Sequence, residues 1–249
     1  MQMKKTALID GDVVLYEVTA SCEQAWDWGN DLWTLHSDFR EAKQRFDCWV
    51  ADLRKVLEVE STLIALSDKE NWRKEVLSTY KANRKGKRKP VTYPKLRQYV
   101  EETYKTVCMP TLEADDVLGI YATDPKQSKD SIVVTIDKDL KTVPGLHFNP
   151  GHPEEGVVEV SLEQADFNHL MQALAGDPVD GYAGCPGIGP VRAERMLSDD
   201  PTWSKVVEIY SSKSLSHDDA LIQARVARIL RHGEYDSVTK TVKLWSPNE

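Results

Sequence analysis

The chain has 249 residues, of which 41% are hydrophobic and 29% charged, enough for one large domain or two small ones with a true core. No apolar run is long enough to span a bilayer, and Met1-Gln-Met-Lys-Lys leads straight toward a strand instead of a signal segment. The four scattered cysteines (Cys22, Cys48, Cys108, Cys185) indicate neither a zinc site nor a disulfide framework, so a reducing cytoplasm is the expected compartment. Net charge is -8, yet residues 73–97 hold ten basic side chains against one acid. That segment is +9 and the remainder -17, so the overall sign does not exclude a polyanionic partner.

The chain opens with an apolar run, Thr6-Ala-Leu-Ile-Asp10, short and bounded like a buried parallel strand, and continues Gly11-Asp12. Residues 20–37, with Trp26, Trp28, Gly29 and Trp33, read as irregular and mildly acidic. No basic residue interleaves these tryptophans, so they are expected to pack and not to stack on bases. From about Asp38 to Glu58, Phe39, Ala42, Phe46, Trp49, Val50, Leu53, Val56 and Leu57 recur at threes and fours, the stripe of an amphipathic helix. A second strand over 62–66 closes on Ser67-Asp68. The basic segment follows, and Gly86 and Pro90 argue against one continuous helix there, so part of it should be mobile without a ligand. Pro94 suits the first turn of a helix reaching Val107, with Leu96, Tyr99, Val100 and Tyr104 inward.

A helix over 113–123 comes next, then a third strand in Ile132-Val-Val-Thr-Ile-Asp137 and extended pieces near 145–149 and 157–160. An amphipathic helix runs from Leu162 to Ala175. Beyond Gly176-Asp177-Pro-Val-Asp180-Gly181 lies a glycine hairpin, Gly187-Ile-Gly189-Pro190, leading into another helix start. A polar stretch, a basic helix with Arg225, Arg228 and Arg231, and an extended Thr241-Val-Lys-Leu-Trp245 complete the sequence.

The chemistry sits in the acids. Three carboxylates fall within four residues at Glu113-Ala-Asp115-Asp116, and each strand run delivers another: Asp10, Asp68, and Asp137 with Asp139 beyond it. The carboxyl ends of parallel strands line the ligand crevice of open α/β sheets. Acids in a first helical turn often only complement the macrodipole, which does not account for the strand-end set. Two unit charges about 4 Å apart repel by roughly 4 kcal/mol at an effective dielectric of 20. Such a cluster needs counter-charge, and hard divalent cations prefer oxygen ligands, so a magnesium or manganese site is expected. Alone, the basic block competes with a plain solvated loop, and the hairpin favours an anion-binding array of N–H groups over a helix–helix turn that uses the same glycines. Metal-holding acids beside phosphate contacts explain all three at once.

The ordered set Asp10-Gly11, Asp68, Tyr80-Lys81-x-x-Arg84, Glu113-Ala-Asp115-Asp116, Asp137-Lys-Asp139, Gly176-Asp177-x-x-Asp180-Gly181 and Gly187-Ile-Gly189 resembles the flap endonuclease / 5′→3′ exonuclease superfamily. More narrowly, Asn71-Trp-Arg-Lys-Glu75, Tyr80-Lys-Ala-Asn-Arg-Lys85, Lys89-Pro-Val-Thr-Tyr93 and Ala227-Arg-Ile-Leu-Arg231 are similar to the 5′→3′ exonucleases of podovirus-type tailed bacteriophages. The resemblance covers nearly the whole chain. It implies an α/β fold with a mostly parallel central sheet flanked by helices, as in PIN and flap-endonuclease proteins. The nuclease core would occupy 1–160, with a helical arch at about 73–110, and 161–249 would form a helical lobe with a helix–three-turn–helix hairpin, packed with the core as one unit. The implied activity is metal-dependent 5′→3′ exonuclease and flap endonuclease cleavage of duplex DNA by two divalent ions.

Residue by residue, the resemblance sets Asp10, Asp68, Glu113, Asp115 and Asp116 around a first ion (Mg²⁺ or Mn²⁺) and Asp137, Asp139, Asp177 and Asp180 around a second. Lys81 and Arg84 would contact the scissile phosphate, with Tyr80, Lys85, Lys87 and Arg88 extending the DNA contact. Gly187 and Gly189, with Arg192, would grip duplex at a bound K⁺. Duplex DNA with 5′ ends or flaps is the implied partner, RNA–DNA hybrid a second substrate, and a monomer in the host bacterial cytoplasm the working form. Val191 stands where the hairpin usually carries lysine, which either gives that role to Arg192 or leaves a weaker grip on duplex. Thr135-Ile136 replaces a small-Gly pair, a change expected to affect strand packing alone. Two other readings use part of the pattern. Asp10-Gly-Asp12 with Gly176-Asp177-x-x-Asp180 resembles a haloacid-dehalogenase-type phosphatase with Asp10 as nucleophile, which leaves the basic segment, Asp68, Glu113 and Asp115 unexplained. A non-catalytic DNA-binding module would gain nothing from nine acids beside a polyanion.

Overall fold

The structure, a computed structural model, describes residues 5–247; the run-in Met1-Gln-Met-Lys lies outside the described residues. The elements in chain order are β1 (Thr6–Asp10), α1 (Gly11–Ser21), β2 (Glu23–Asp27), β3 (Trp33–Ser37), α2 (Phe39–Val56), β4 (Ser61–Leu66), the single turn α3 (Arg73–Val76), α4 (Tyr93–Thr103), β5 (Thr106–Cys108) and α5 (Ala114–Ala122). They continue with β6 (Ser131–Val134), β7 (Gly145–Phe148), β8 (Val157–Val160), α6 (Leu162–Ala175), α7 (Pro190–Leu197), α8 (Trp203–Ser211), α9 (His217–Ala227), β9 (Tyr235–Asp236) and β10 (Thr241–Val242). The main sheet has the order β5-β4-β1-β6-β7-β8, parallel throughout except for the antiparallel edge strand β8.

Near-continuous apolar strands require cover on both faces, and they have it. Ile9, Ile64 and Leu66 on one face pack with Leu15, Phe46 and Leu96 of α1, α2 and α4. Leu8, Leu63 and Val133 on the other pack with Val117 and Leu118 of α5 and with Ile229 and Leu230. The chain beyond α9 therefore returns to the sheet, and Gly119 of α5 leaves room for the Leu230 carbonyl. A third cluster, with Leu174, Ile188, Leu197, Val206 and Tyr210, holds α6 to α9 together.

Four segments differ from the sequence expectation. Residues 23–37 form a β-hairpin whose turn passes through left-handed Asn30 and Asp31; its tryptophans are exposed, with Trp28 at 67%, so the packing expectation was wrong. The helix opened by Pro94 ends at Thr103, not Val107, because 106–108 join the sheet edge as β5. The polar stretch after α7 contains α8, capped by the Thr202 side chain on the Lys205 amide. Between α3 and α4 the basic segment is a loop with a single 3₁₀ turn at Ala82–Arg84, not one helix, as Gly86 and Pro90 imply, where the resemblance implied a helical arch.

Gly11 follows Asp10 because β4 passes directly over it: an added Cβ would lie 2.5 Å from the Ala65 carbonyl oxygen and 2.6 Å from Ile64 Cγ2. Overpacking of this kind costs about 1–3 kcal/mol. Gly11→Ala should therefore lower the thermal midpoint by about 2–4 °C for each kcal/mol lost, measured by calorimetry. A second test concerns His169, buried on α6 with Nε2 donating to the Ala224 carbonyl at 2.8 Å. Burial, helped by the Arg228 charge, pushes its pKa down to about 3. The folded state keeps it neutral while the unfolded chain protonates below about 6.5, so its contribution is complete above that value. It is lost as pH falls from there toward about 3, at up to about 1.4 kcal/mol per unit. Denaturant titrations across pH should show that slope in the parent protein and its absence in His169→Asn.

Candidate functional site

The carboxyl ends of β1 and β6, the start of α5 and the loop after α6 close on one crevice of about 380 Å³. Eight carboxylates line it: Asp10, Asp12, Glu113, Asp115, Asp137, Asp139, Asp177 and Asp180. Asp10 ends β1 and caps α1, its Oδ1 accepting the Val13 amide at 3.3 Å and its Oδ2 the Thr135 hydroxyl at 3.1 Å. Thr135 also accepts the Asp137 amide at 3.0 Å. It thus ties two acid positions together, more than the strand packing expected of it. Asp137 caps the 3₁₀ turn of Lys138–Thr142 by accepting the Asp139 amide at 2.8 Å. Gln172 on α6, which the sequence did not single out, donates to Asp139 Oδ1 at 2.8 Å. Asp177 Oδ1 accepts the Val179 and Asp180 amides.

Charge falls into two neighbourhoods that share Asp137. Burial, then the charges of Asp12 and Asp137, outweigh the hydrogen bonds and push Asp10 up to about 7. Burial with Asp10, Asp137 and Glu113 pushes Asp115 well above the usual range. Burial with Asp137, Asp177 and Asp180 pushes Asp139 up to about 7. Among the described residues no three His, Cys, Asp or Glu side chains are already converged on a metal-sized point. The donor set nonetheless fits hard divalent cations, since it is all carboxylate oxygen and its members repel one another.

Two acids expected in the first metal group are elsewhere. Asp116 is fully buried, and Arg73 donates to both its oxygens at 2.7 Å. Trp72 Nε1 and the Leu230 amide complete its bonds at 3.0 and 3.1 Å. Successive helical residues point about 100° apart, so Asp115 faces the crevice and Asp116 the interior. Asp68 lies past the end of β4 with Oδ2 on the Thr111 amide at 2.8 Å. Ser67 occupies the crevice wall instead, donating its amide to Asp12 at 3.0 Å and accepting the Ala114 amide at 2.9 Å.

The basic loop meets the acids at the crevice lip. Lys81 Nζ lies 2.5 Å from Glu113 Oε1 and 3.4 Å from Asp180 Oδ2, and Arg84 pairs with Asp180. Burial opposes the Lys81 charge, but Glu113, Asp115 and Asp180 outweigh it and raise the pKa. Burial likewise opposes the Glu113 charge, but Lys81 and Arg73 hold its pKa down to about 2. Tyr80, buried, donates to Glu113 at 2.8 Å and Asp180 at 3.3 Å. Lys85 and Lys87 are exposed, while Arg88 is held by Glu23. Across the lobe, Gly187 takes φ +75° with open space where a Cβ would stand, and Gly189, equally open, caps α7. Arg192 donates to the Gly187 carbonyl at 3.2 Å, beside Val191 at 82% exposure.

Fold and site together define a parallel α/β protein with an acidic crevice overhung by a cationic loop. The chain belongs to the 5′–3′ exonuclease family, whose N-terminal resolvase-like domain matches residues 6–146. It is 29% identical to an exodeoxyribonuclease of Enterobacteria phage T3, across 98% of this chain and 93% of the relative. It is 28% identical to an exonuclease of Escherichia phage T7, across 98% and 94%. A flap endonuclease Xni of Shewanella oneidensis is 29% identical across 58% of each chain. Among solved structures, the bacteriophage T5 D15 flap endonuclease, as a pseudo-enzyme–product complex with DNA and metal ions, superposes with a TM-score of 0.69 at 13% identity, covering 90% of this chain and 89% of that one. The shared fold is the finding there. The family match displaces the phosphatase reading.

Neighbouring acids with opposite surroundings should respond oppositely to substitution. Asp116→Asn leaves Arg73 buried and half-compensated, which costs about 3–5 kcal/mol, so the melting temperature should fall with or without Mg²⁺. Asp115→Asn removes a repelling charge, so the metal-free melting temperature should hold or rise while the gain on adding Mg²⁺ is lost. Thermal melts of both variants with and without Mg²⁺ check this; loss of the Mg²⁺ gain in Asp116→Asn alone would return Asp116 to the ligand set.

Proposed function

We propose that the chain is a divalent-metal-dependent 5′→3′ exonuclease with flap endonuclease activity, hydrolysing phosphodiester bonds of duplex DNA. The observation that carries this reading is the contact of Lys81 and Arg84 with the rim of an eight-carboxylate crevice. The names of the phage T3 and T7 relatives and of Xni, and the metal ions and DNA in the D15 complex, support it. Asp10, Glu113 and Asp115 would hold one Mg²⁺ or Mn²⁺ ion, and Asp139, Asp177 and Asp180 a second, with Asp137 between. Such ions would supply an activated water and charge stabilisation at the leaving oxygen.

The protein's own share is positioning. Lys81 and Arg84 are fixed donors at the lip, set for phosphoryl oxygens whose charge grows in the transition state. Tyr80 and Arg73 orient Glu113 from behind, and Gln172 and Thr135 do the same for Asp139 and Asp10. Lys85 and Lys87 meet the steady charge of the backbone further out. Gly187 and Gly189 let the start of α7 approach duplex phosphates closely, with Arg192 beside them and K⁺ as the hairpin's bound cation.

Duplex labelled at either the 5′ or the 3′ end, digested with and without Mg²⁺, tests the reading. The 5′ label should be released first and excess chelator should abolish release; label lost first from the 3′ end, or cleavage in chelator, would overturn it. On saturating substrate in single turnover, Lys81→Ala should cut the rate by roughly 10²–10³. Lys87→Ala should instead raise KM, more so at high salt.

A further inference from the structure

Among the described residues the β2–β3 hairpin pairs with no other strand, and Trp26, Trp28, Leu32 and Trp33 on it are 56–67% exposed. Two strands alone are marginal in water, and clustered exposed apolar side chains mark an interaction surface. The register sorts them by face. Gln24 pairs with His36 and Trp26 with Thr34 on one side; Glu23 pairs with Ser37, Ala25 with Leu35 and Asp27 with Trp33 on the other. The second face rests on the basic loop: Glu23 accepts Arg88 at 2.6 and 2.9 Å and the Val91 amide at 2.7 Å, and the Ser37 and Thr92 hydroxyls are 3.1 Å apart. Trp33 and Leu35 continue that face. Trp28, whose Nε1 donates to Thr34 at 2.8 Å, belongs with Trp26 on the outer one.

An aromatic face beside a row of cations is the arrangement that holds unpaired nucleic acid without sequence preference. We propose that Trp33, with Leu35 beside it, is a stacking site for unpaired bases at the 5′ end of the strand being cut, whose phosphates follow Lys85, Lys87 and Arg88. This rests on the nuclease reading above. Asp27 and Asp31 repel phosphate from the tip, which keeps the strand's backbone on the loop side and the bases toward the hairpin.

Affinity measured by fluorescence anisotropy in excess chelator tests it, with labelled duplexes carrying a 5′ tail, a 3′ tail or a blunt end. Trp33→Ala should weaken binding of the 5′-tailed duplex about tenfold and leave the blunt duplex unchanged. Trp33→Phe, which keeps a ring and the hairpin's packing, should restore most of the loss, and Trp26→Ala on the outer face should change neither. Equal losses on blunt and tailed duplex, a larger loss on the 3′ tail, or an equal loss from Trp26→Ala would overturn the assignment. No loss at all would also overturn it and leave the hairpin to a protein partner. Binding is read without metal, so a failure of 5′→3′ cleavage would sink the nuclease reading and leave this result standing apart from it.

Discussion

A guanidinium sealed from water holds the molecule's parts in register. Arg73 is 3% exposed, and its five N–H groups serve Asp116 twice, Glu113, and the carbonyls of Val226 and Arg228. Those bonds join the root of the basic segment, the first turn of α5 and the chain leaving α9. Removing such a pair from water is costly, and the attraction offsets it only when every donor and acceptor is used. Here they are. What the pair specifies is direction: with Asp116 held inward, Asp115 has to face the crevice, and Glu113 is fixed where Lys81 can reach it.

From that anchor the crevice divides into a compensated half and an uncompensated one. Glu113 and Asp180 have Lys81, Arg84 and Tyr80 as partners, and Glu113 stays ionised far below its ordinary range. At Asp10, Asp115 and Asp139 burial and the other acids outweigh the hydrogen bonds and the charges of Lys81 and Lys138, and their protonated forms gain instead. The protein answers part of its own repulsion at the lip and leaves the floor with a demand for cations. That asymmetry also orders the site in space, with the chain's own paired cations at the lip and the repelling acids further in.

Much of this was readable from the residues. Continuous apolar runs marked β1, β4 and β6, and the 3.6-residue rhythm running into Gly176 marked α6 at its observed bounds. The acids lining the crevice were legible as a set because strand ends converge in a parallel sheet. What failed were distinctions that depend on distant partners. Asp115 and Asp116 are neighbours in sequence, and only Arg73, 43 residues away, separates their roles. Ser67 and Asp68 exchange places for the same reason, since Thr111 claims the acid. The β2–β3 hairpin carried a signal that was available: polar turn residues Gly29-Asn-Asp31 between two short runs that alternate apolar and polar residues, Trp26-Asp-Trp28 and Trp33-Thr-Leu-His36. The three residues of β5 are too few to show any period, and α8 was masked by the polar residues before its cap.

Lys81 also carries a backbone constraint. It lies at φ 51°, in the left-handed region, which an L side chain enters at a cost of about 1–2 kcal/mol and glycine enters freely. Its amide is held there by the Asp180 carbonyl at 2.7 Å, which is also how the ammonium comes to lie against Glu113. At this position conformational ease and electrostatic role point to different amino acids. Selection for thermal endurance sets the two against each other here, since glycine would relieve the backbone and leave Glu113 and Asp180 without that ammonium, whereas selection for turnover retains the cation. The residue that a thermostability screen returns at position 81 would thus reveal which of the two weighs more.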